Sequence, residues 1–172
     1  MSIHRPTSPI GSLHRRDGAG VVRMEDHFET DSDDLWDALT SPDRLARWIA
    51  EVDGDLRLGG HFEAVFTSGW RGPGRVDACE PGRRLLLTMG EGDDQTTIEA
   101  WILPDGETVQ LIVEERGLPL GEYAAHGAGW QAHIEDLAAH LGGHPAAEWR
   151  QRWQELTPSY EALAQSVSGV SE

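Results

Sequence analysis

The chain has 172 residues, of which 38% are hydrophobic, and 30 acidic side chains against 14 basic ones give a net charge of −16. This length predicts one domain with a substantial buried core. The longest apolar runs, such as Leu85–Leu87, are far shorter than the ~20 residues of a transmembrane helix, so we expect no membrane insertion. The basic residues are spread along the sequence, which excludes the concentrated basic face that nucleic acid requires.

Signals for a cellular compartment are few. Cys79 is the single cysteine, which rules out an internal disulfide and is compatible with a reducing compartment. Arg15 and Arg16 are followed by Asp17–Gly20 instead of an apolar run, which is unlike an export signal. We therefore expect a cytoplasmic protein.

The predicted elements begin with a polar tail over residues 1–20, in which prolines and glycines are frequent. The next segment, Val21–Thr30, alternates between apolar and charged residues, as a half-buried strand does. The inward face of this strand is apolar except for Asp26, which therefore needs either an ion pair or a function.

Two short helices are predicted over residues 32–50. Asp31 or Ser32 can supply the N-cap of the first helix by accepting hydrogen bonds from free backbone N–H groups. Pro42 occupies the first turn of the second helix, where its missing N–H is not needed. Each helix is too short to be stable alone, so both are expected to pack on a larger structure.

That larger structure is predicted to be a sheet. Five stretches with strand patterns follow, "GHFEAVF", "GRVDACE", "RRLLLTMG", "TTIEAWIL" and "TVQLIVEE". The connections between them are short and rich in glycine, proline and aspartate, which predicts hairpins and an antiparallel meander.

Beyond the last strand the apolar residues recur with the period of a helix. Trp130, Ile134, Leu137 and Leu141 are spaced by four, three and four, which predicts one apolar face of a long helix that ends at Gly142-Gly143. The order of elements thus predicts an α+β fold, in which a curved antiparallel sheet wraps around this helix. The two short helices after the first strand would close one end of the cavity between them.

A last helix begins near Pro145 and is expected to end at Pro158. Its Trp149 and Trp153 lie on one face, and each tryptophan has ~150–250 Å² to bury. We expect these two side chains either to dock on the chain's own body or to form a two-fold interface. We favour a homodimer, because homodimers are the commonest oligomers.

Four stretches together resemble a known family: "LWDALTSPDRLARWI", "GDLRLGGHFEAVF", "GRVDACEPGRRLLLTM" and "GLPLGEYAAHGAGWQAHIEDLAAHL". They are similar to the activator-of-Hsp90-ATPase homologue family of the START-like (SRPBCC) helix-grip superfamily, which includes polyketide cyclases and lipid-transfer proteins. The resemblance covers residues 21–141. It implies a helix-grip domain over residues 21–143, flanked by the tail and by a C-terminal helical extension over residues 144–172.

The resemblance leaves three classes of function open, because one fold serves many activities. We favour the binding of a small hydrophobic or amphipathic molecule in the cavity. A cyclase- or hydrolase-like enzyme would use His133 or Asp26 as acid or base in the same cavity. A protein-interaction module, like a co-chaperone, would instead use the outer face that carries Trp149 and Trp153. Whether the chain is an enzyme stays open.

The expected ligand-binding residues are mostly aromatic. Trp48, Phe62, Phe66 and Trp130 are predicted to border the cavity, with Trp70 and Tyr123 at its entrance, His133 as a polar group on its wall and Asp26 at its polar end. An ion pair between Asp26 and Arg75 is the alternative for that carboxylate. Glu114 and Glu115 are adjacent at the end of the last strand, so only one of them can face the cavity.

The histidines of the long helix do not predict a metal site. His126, His133 and His140 are seven residues apart, a rise of about 10.5 Å between neighbours, which is too far for two imidazoles to share one zinc ion. We expect no metal and no cofactor.

Overall fold

The computed structural model describes residues 7–168 of the chain. Their helices and strands, in chain order, are β1 Gly11–Arg16, β2 Ala19–Phe28, α1 Ser32–Thr40, α2 Pro42–Trp48, β3 Ala50–Gly54, β4 His61–Phe66, β5 Arg71–Glu80, β6 Arg84–Met89, β7 Thr96–Asp105, β8 Thr108–Leu118, α3 Tyr123–Leu141 and α4 Trp149–Ser168. The strands form one sheet in the order β1-β2-β8-β7-β6-β5-β4-β3, with every neighbouring pair antiparallel. The predicted curved sheet around a long C-terminal helix is confirmed.

The two predicted short helices are present as α1 and α2, joined at Ser41. Asp31 caps α1, since its side chain accepts a hydrogen bond of 2.8 Å from the backbone N–H of Asp34. Pro42 begins α2, and Trp48 at its end donates from Nε1 to the backbone oxygen of Ala38 at 3.0 Å. This bond and the complete burial of Leu35 fasten both helices to the core.

The tail predicted over residues 1–20 is wrong for its second half. Residues 11–16 form β1, which pairs with β2 through a tight turn at Asp17 and Gly18, both with positive φ. Asp-Gly is a strong hairpin signal, and the polar outer face of β1 hid it. Leu13 on this strand is only 4% exposed. The two short helices therefore follow the second strand, not the first, and residues 1–6 lie outside the described residues.

Strand β3 was not predicted either. Ala50–Gly54 pairs with β4 at the edge of the sheet, where Ala50 lies opposite Phe66. The segment "AEVDG" has too few apolar residues to show an alternating pattern, so its strand conformation depends on the pairing with β4.

Helix α4 packs along α3 and passes through Pro158 without ending there, so the predicted stop is wrong. A proline inside a helix costs ~3 kcal/mol. Leu156 and Tyr160 on either side of it are both 0% exposed, and their burial outweighs that cost. Close packing is possible because Gly127 of α3 has no side chain: a Cβ there would lie 2.6 Å from the ring of Tyr160.

None of the helices described within residues 7–168 combines the length and the hydropathy that a membrane span requires.

The outer face of the sheet carries a network of charges across four strands. Glu99 on β7 lies directly opposite Glu114 on β8, an arrangement in which like charges repel. Arg116 bridges the two carboxylates with hydrogen bonds of 2.7 Å and 3.2 Å. Arg23 on β2 also donates to Glu114, and Arg84 on β6 donates to Glu99. Each glutamate thus accepts hydrogen bonds from two guanidinium groups, and Arg16 forms a further ion pair with Glu114 at 3.6 Å.

Candidate functional site

Two adjoining cavities lie on the inner side of the sheet. The larger has a volume of about 620 Å³ and is bounded by the sheet, α3 and the first turns of α4. The smaller has a volume of about 110 Å³ and lies under α1 and α2. The cavities share four lining residues, Phe66, Met89, Ile98 and Trp130. These four side chains are apolar or aromatic and separate the two cavities.

Aromatic rings form one wall of the larger cavity. The indoles of Trp149 and Trp153 are stacked with their centroids 5.9 Å apart, and Trp149 also stacks on His133 at 5.2 Å. The indole N–H groups of these tryptophans donate to backbone oxygens of α3, at Gly129 and Ala125. The indole N–H groups of this wall are therefore satisfied within the chain.

Glu115 is the polar centre of the cavity and is only 6% exposed. Its Oε1 accepts hydrogen bonds from Trp130 Nε1 at 2.9 Å and from His126 Nδ1 at 3.1 Å, and its Oε2 accepts one from Thr96 Oγ1 at 2.9 Å. Residues 126 and 130 are one turn apart on α3, so they reach the same carboxylate.

Glu115 and His126 perturb each other's ionisation. Burial opposes ionisation of Glu115, yet the hydrogen bonds from His126, Trp130 and Thr96 outweigh it and lower the pKa of this carboxyl below its usual value. Burial likewise opposes protonation of His126, but its bond to Glu115 prevails and raises the pKa of the imidazole. The pair is therefore a carboxylate beside a readily protonated imidazole.

His133 is the second polar group of the cavity wall and is 5% exposed. Burial lowers the pKa of its imidazole to about 4, although a hydrogen bond to the backbone of Trp48 favours the charged form. The ring is therefore neutral at pH 7. Its Nδ1 is buried and has no hydrogen-bond partner among residues 7–168. A buried, unsatisfied ring nitrogen on a cavity wall is available to a ligand.

The rim of the cavity is acidic. Asp93 and Asp94 come from the turn after β6, and Glu122 immediately precedes α3. With Glu115 inside, four carboxylates line the cavity, against Arg150 and His126 as the basic residues in its lining. The field at the entrance therefore favours positive charge.

Six of the eight predicted ligand-binding residues line one or both cavities. Trp48 and Phe62 line the smaller cavity, Trp70 and His133 line the larger, and Phe66 and Trp130 line both. Trp70 is 38% exposed and packs edge-on against Phe66, with ring centroids 5.3 Å apart.

Asp26 and Tyr123 line neither cavity within the described residues. The half-buried carboxylate of Asp26 accepts a hydrogen bond from the backbone N–H of His27, and Arg75 pairs with Asp77 instead of with Asp26. Tyr123 is 1% exposed and lies against β2, where a Cβ on Gly20 would be 2.7 Å from its ring.

Sequence reasoning missed three lining residues that matter. Glu115 was one of two adjacent candidates, and the signal that distinguishes it is its parity with the apolar Val109, Leu111 and Val113 along β8. Trp149 and Trp153 were expected either to dock on the chain's own body or to form a two-fold interface; both dock on α3, and their place in the cavity lining was not predicted. The signal for this docking was present in α3, where Gly127 and Gly129 leave space for a neighbouring helix.

A curved sheet and a long helix that enclose a cavity define a helix-grip protein of the START-like (SRPBCC) class. The chain belongs to the Activator of Hsp90 ATPase homolog 1-like protein family, whose sequence profile matches residues 29–142. This confirms the family predicted from the four sequence stretches. The matched segment ends before α4, so Trp149, Arg150 and Trp153 lie outside it.

Solved structures share the fold. The crystal structure of CalU16 from Micromonospora echinospora is 27% identical in sequence, with a TM-score of 0.74 over 90% of this chain and 96% of that chain. DynU16, a protein in the dynemicin biosynthetic locus, is also 27% identical, with a TM-score of 0.68 over 77% of this chain and 51% of that chain. A conserved protein of unknown function from Enterococcus faecalis has a TM-score of 0.73 at 13% identity, which shows the fold alone. No curated protein shows significant similarity to the chain.

Proposed function

We propose that the chain binds a small amphipathic molecule in the larger cavity. The observation that carries this proposal is the pairing of a stacked aromatic wall with two buried polar groups, Glu115 and the unpartnered Nδ1 of His133, in a space of about 620 Å³. Ligand sites typically have volumes of about 300–1,000 Å³, with mostly apolar linings and a few convergent polar groups. DynU16 is a protein in the dynemicin biosynthetic locus, which supports a ligand from small-molecule biosynthesis.

A variant that fills the cavity tests this proposal. Ala125 lines the larger cavity on α3, whereas Ala138 is an exposed alanine on the same helix. We expect Ala125→Trp to weaken the binding of the neutral fluorescent probe N-phenyl-1-naphthylamine at least about tenfold, or ~1.4 kcal/mol. Ala138→Trp, the matched control, should bind the probe as the wild type does. Failure of the wild type to bind, or equal binding by Ala125→Trp, would show that the cavity is not the site.

An acid–base enzyme is the second candidate, because His133 offers a free ring nitrogen inside the cavity. A pKa of about 4 makes this imidazole a weak base at neutral pH, which favours a hydrogen-bonding role. Hydrolysis of 1-naphthyl acetate with an inflection near pH 4, abolished by His133→Phe, would support the enzyme. Equal rates in the two proteins would support binding alone.

The homodimer and the cytoplasmic location stay predictions. Trp149 is 8% exposed and both tryptophans of α4 contact α3, so a dimer built on them requires α4 to leave α3 or to exchange between copies. Sedimentation velocity across the micromolar range distinguishes the states, and a monomer throughout would end the dimer hypothesis.

A further inference from the structure

We propose that the ligand of the larger cavity is an amine, and that its ammonium group lies against Trp130, between Glu115 and His133. This inference rests on the proposed function, because it names the chemical class of molecule that the same cavity takes. It follows from the hydrogen-bonding capacity of the two buried side chains, from the charge of the rim and from the aromatic wall.

His133 presents a hydrogen-bond acceptor to the cavity. In a neutral imidazole one nitrogen donates a hydrogen bond and the other accepts one. Nδ1 is the buried nitrogen without a partner, and in the tautomer with the proton on Nε2 it carries a lone pair. A ligand atom that satisfies it must therefore donate a hydrogen bond.

Glu115 presents a second acceptor. A carboxylate has about four lone-pair sites. The three donors described above occupy three of them, with two on Oε1 and one on Oε2. The remaining site on Oε2 suits a donor as well. Because the residue is only 6% exposed, its negative charge acts on a ligand with little screening by water.

Trp130 brings the two acceptors together. Its Nε1 donates to Glu115, and its ring lies edge-on to that of His133, with centroids 5.9 Å apart. Tryptophan is also the side chain that attracts cations most strongly through its ring face. A group that reaches both acceptors thus passes along an indole, a position that favours an ammonium over a neutral hydroxyl.

The charges around the cavity also favour a positively charged ligand. Asp93, Asp94 and Glu122 at the rim add to Glu115, and the basic groups of the lining are Arg150 and His126. The excess of carboxylates attracts a cation and opposes an anion, and the net charge of −16 acts in the same direction. A carboxylate or phosphate ligand would instead meet repulsion and two acceptors that cannot donate to it.

Three ligands with one carbon skeleton test the proposal: 2-naphthylmethylamine, 2-naphthalenemethanol and 2-naphthoic acid, measured by titration calorimetry at pH 7. We expect the amine to bind at least about tenfold more tightly than the alcohol, or ~1.4 kcal/mol, and the acid to bind most weakly. Glu115→Gln should reduce the affinity for the amine to that for the alcohol. Glu114→Gln, which removes the adjacent carboxylate on the outer face, should preserve the full preference.

The outcomes separate this proposal from the proposed function. Equal or tighter binding of the alcohol or the acid, or an amine preference that survives Glu115→Gln, overturns the amine proposal while N-phenyl-1-naphthylamine still binds. If neither that probe nor any member of the series binds the wild type, the binding function itself is wrong. Thermal unfolding confirms that each variant is folded. Should Glu115→Gln not fold, His133→Phe keeps an aromatic ring but removes the second acceptor, and it must weaken amine binding more than alcohol binding.

Discussion

Glu114 and Glu115 are neighbours on β8, yet their carboxylates have different partners on the two faces of the sheet. They are 7% and 6% exposed, and in both cases burial opposes ionisation while hydrogen bonds lower the pKa of the carboxyl. On the outer face, Arg23 and Arg116 supply permanent positive charge to Glu114. On the inner face, Glu115 receives its hydrogen bonds from an indole, a hydroxyl and an imidazole that titrates. Burial and a shifted pKa therefore do not identify a binding site; incomplete charge compensation does.

The largest expected effect is a dependence of stability on pH that comes from the inner face. The pKa of His133 is about 4 in the folded chain, against ~6.5 when unfolded. The unfolded state thus binds the proton more readily, so the contribution of His133 is complete above pH ~6.5 and is lost as the pH falls towards 4. Between pH 7 and pH 4.5 this loss amounts to roughly 2.5 kcal/mol of the free energy of unfolding.

Urea denaturation at several pH values measures this loss, and His133→Phe should make the dependence shallower. His144→Gln, at an exposed histidine, serves as the control and should leave it unchanged. Identical slopes for wild type and His133→Phe would remove His133 as the titrating group. His126, whose pKa is raised by Glu115 against the effect of burial, acts in the opposite direction and loses its contribution as the pH rises.

The second effect concerns the outer face. Glu114→Gln removes the charge that Arg23 and Arg116 share, and a hydrogen bond to a charged group contributes ~1.5 kcal/mol at the low end. We expect about 1.5 kcal/mol less stability in urea denaturation and no change in probe affinity. Weaker binding of N-phenyl-1-naphthylamine by this variant would mean that the two faces are not independent.

The third effect is that of replacing the carboxylate of Glu115 on the inner face. Glu115→Gln keeps an amide oxygen that can accept from Trp130 and from one other donor but leaves the third donor unpaired, so its stability should fall by about 1 kcal/mol. Its preference for the amine over the alcohol should disappear. A loss of stability greater than that of Glu114→Gln, with the preference intact, would reverse the roles assigned to the two glutamates.

The smallest effect is expected at the rim. Arg150 is exposed and lines the entrance, so Arg150→Gln removes a repulsive charge that water and salt largely screen. Amine affinity should rise by about two- to threefold at low salt, and the gain should vanish in 1 M salt, where the screening length is about 3 Å. Arg57→Gln, an exposed arginine outside the cavity lining, is the matched control.

The same two glutamates show which features of the site can be predicted from the sequence and which cannot. Alternation along β8 puts Glu115 in phase with the buried Val109, Leu111 and Val113, so parity indicates that Glu115 faces inward and Glu114 outward. Parity does not reveal the partners of Glu115: His126 and Trp130 of α3 reach it, a contact between segments that no local pattern encodes.

Asp26 shows the opposite case, a residue that was predicted to bind the ligand but does not line the cavity. It has the same parity as the inward residues of β2, so the predicted face is correct. Its neighbour on β8 is Leu111, however, while Glu115 pairs with Val22. Four residues of strand, about 13 Å, separate Asp26 from the polar centre of the cavity. Alternation along a strand predicts which face of the sheet a residue lies on. Its distance from the cavity along that strand is known only from the tertiary structure. The long helix and the hairpins from β4 to β8 were predictable because their signals are local, whereas the hairpin of β1 with β2 was missed.

The pairing of β2 with β8 has a consequence for biosynthesis. Strands β3 to β8 each pair with the strand made just before or after. Strand β2 pairs with β1 in the same way, but its other edge must wait for β8, which follows it by about ninety residues. At a translation rate of about 5–20 residues per second, this is a delay of roughly 5–20 s on the ribosome. During that time Met24 and Phe28, both buried in the finished protein, have no sheet to cover them. The nascent chain therefore carries an apolar hairpin with one open edge, the kind of segment that chaperones shield until the remaining sheet has emerged.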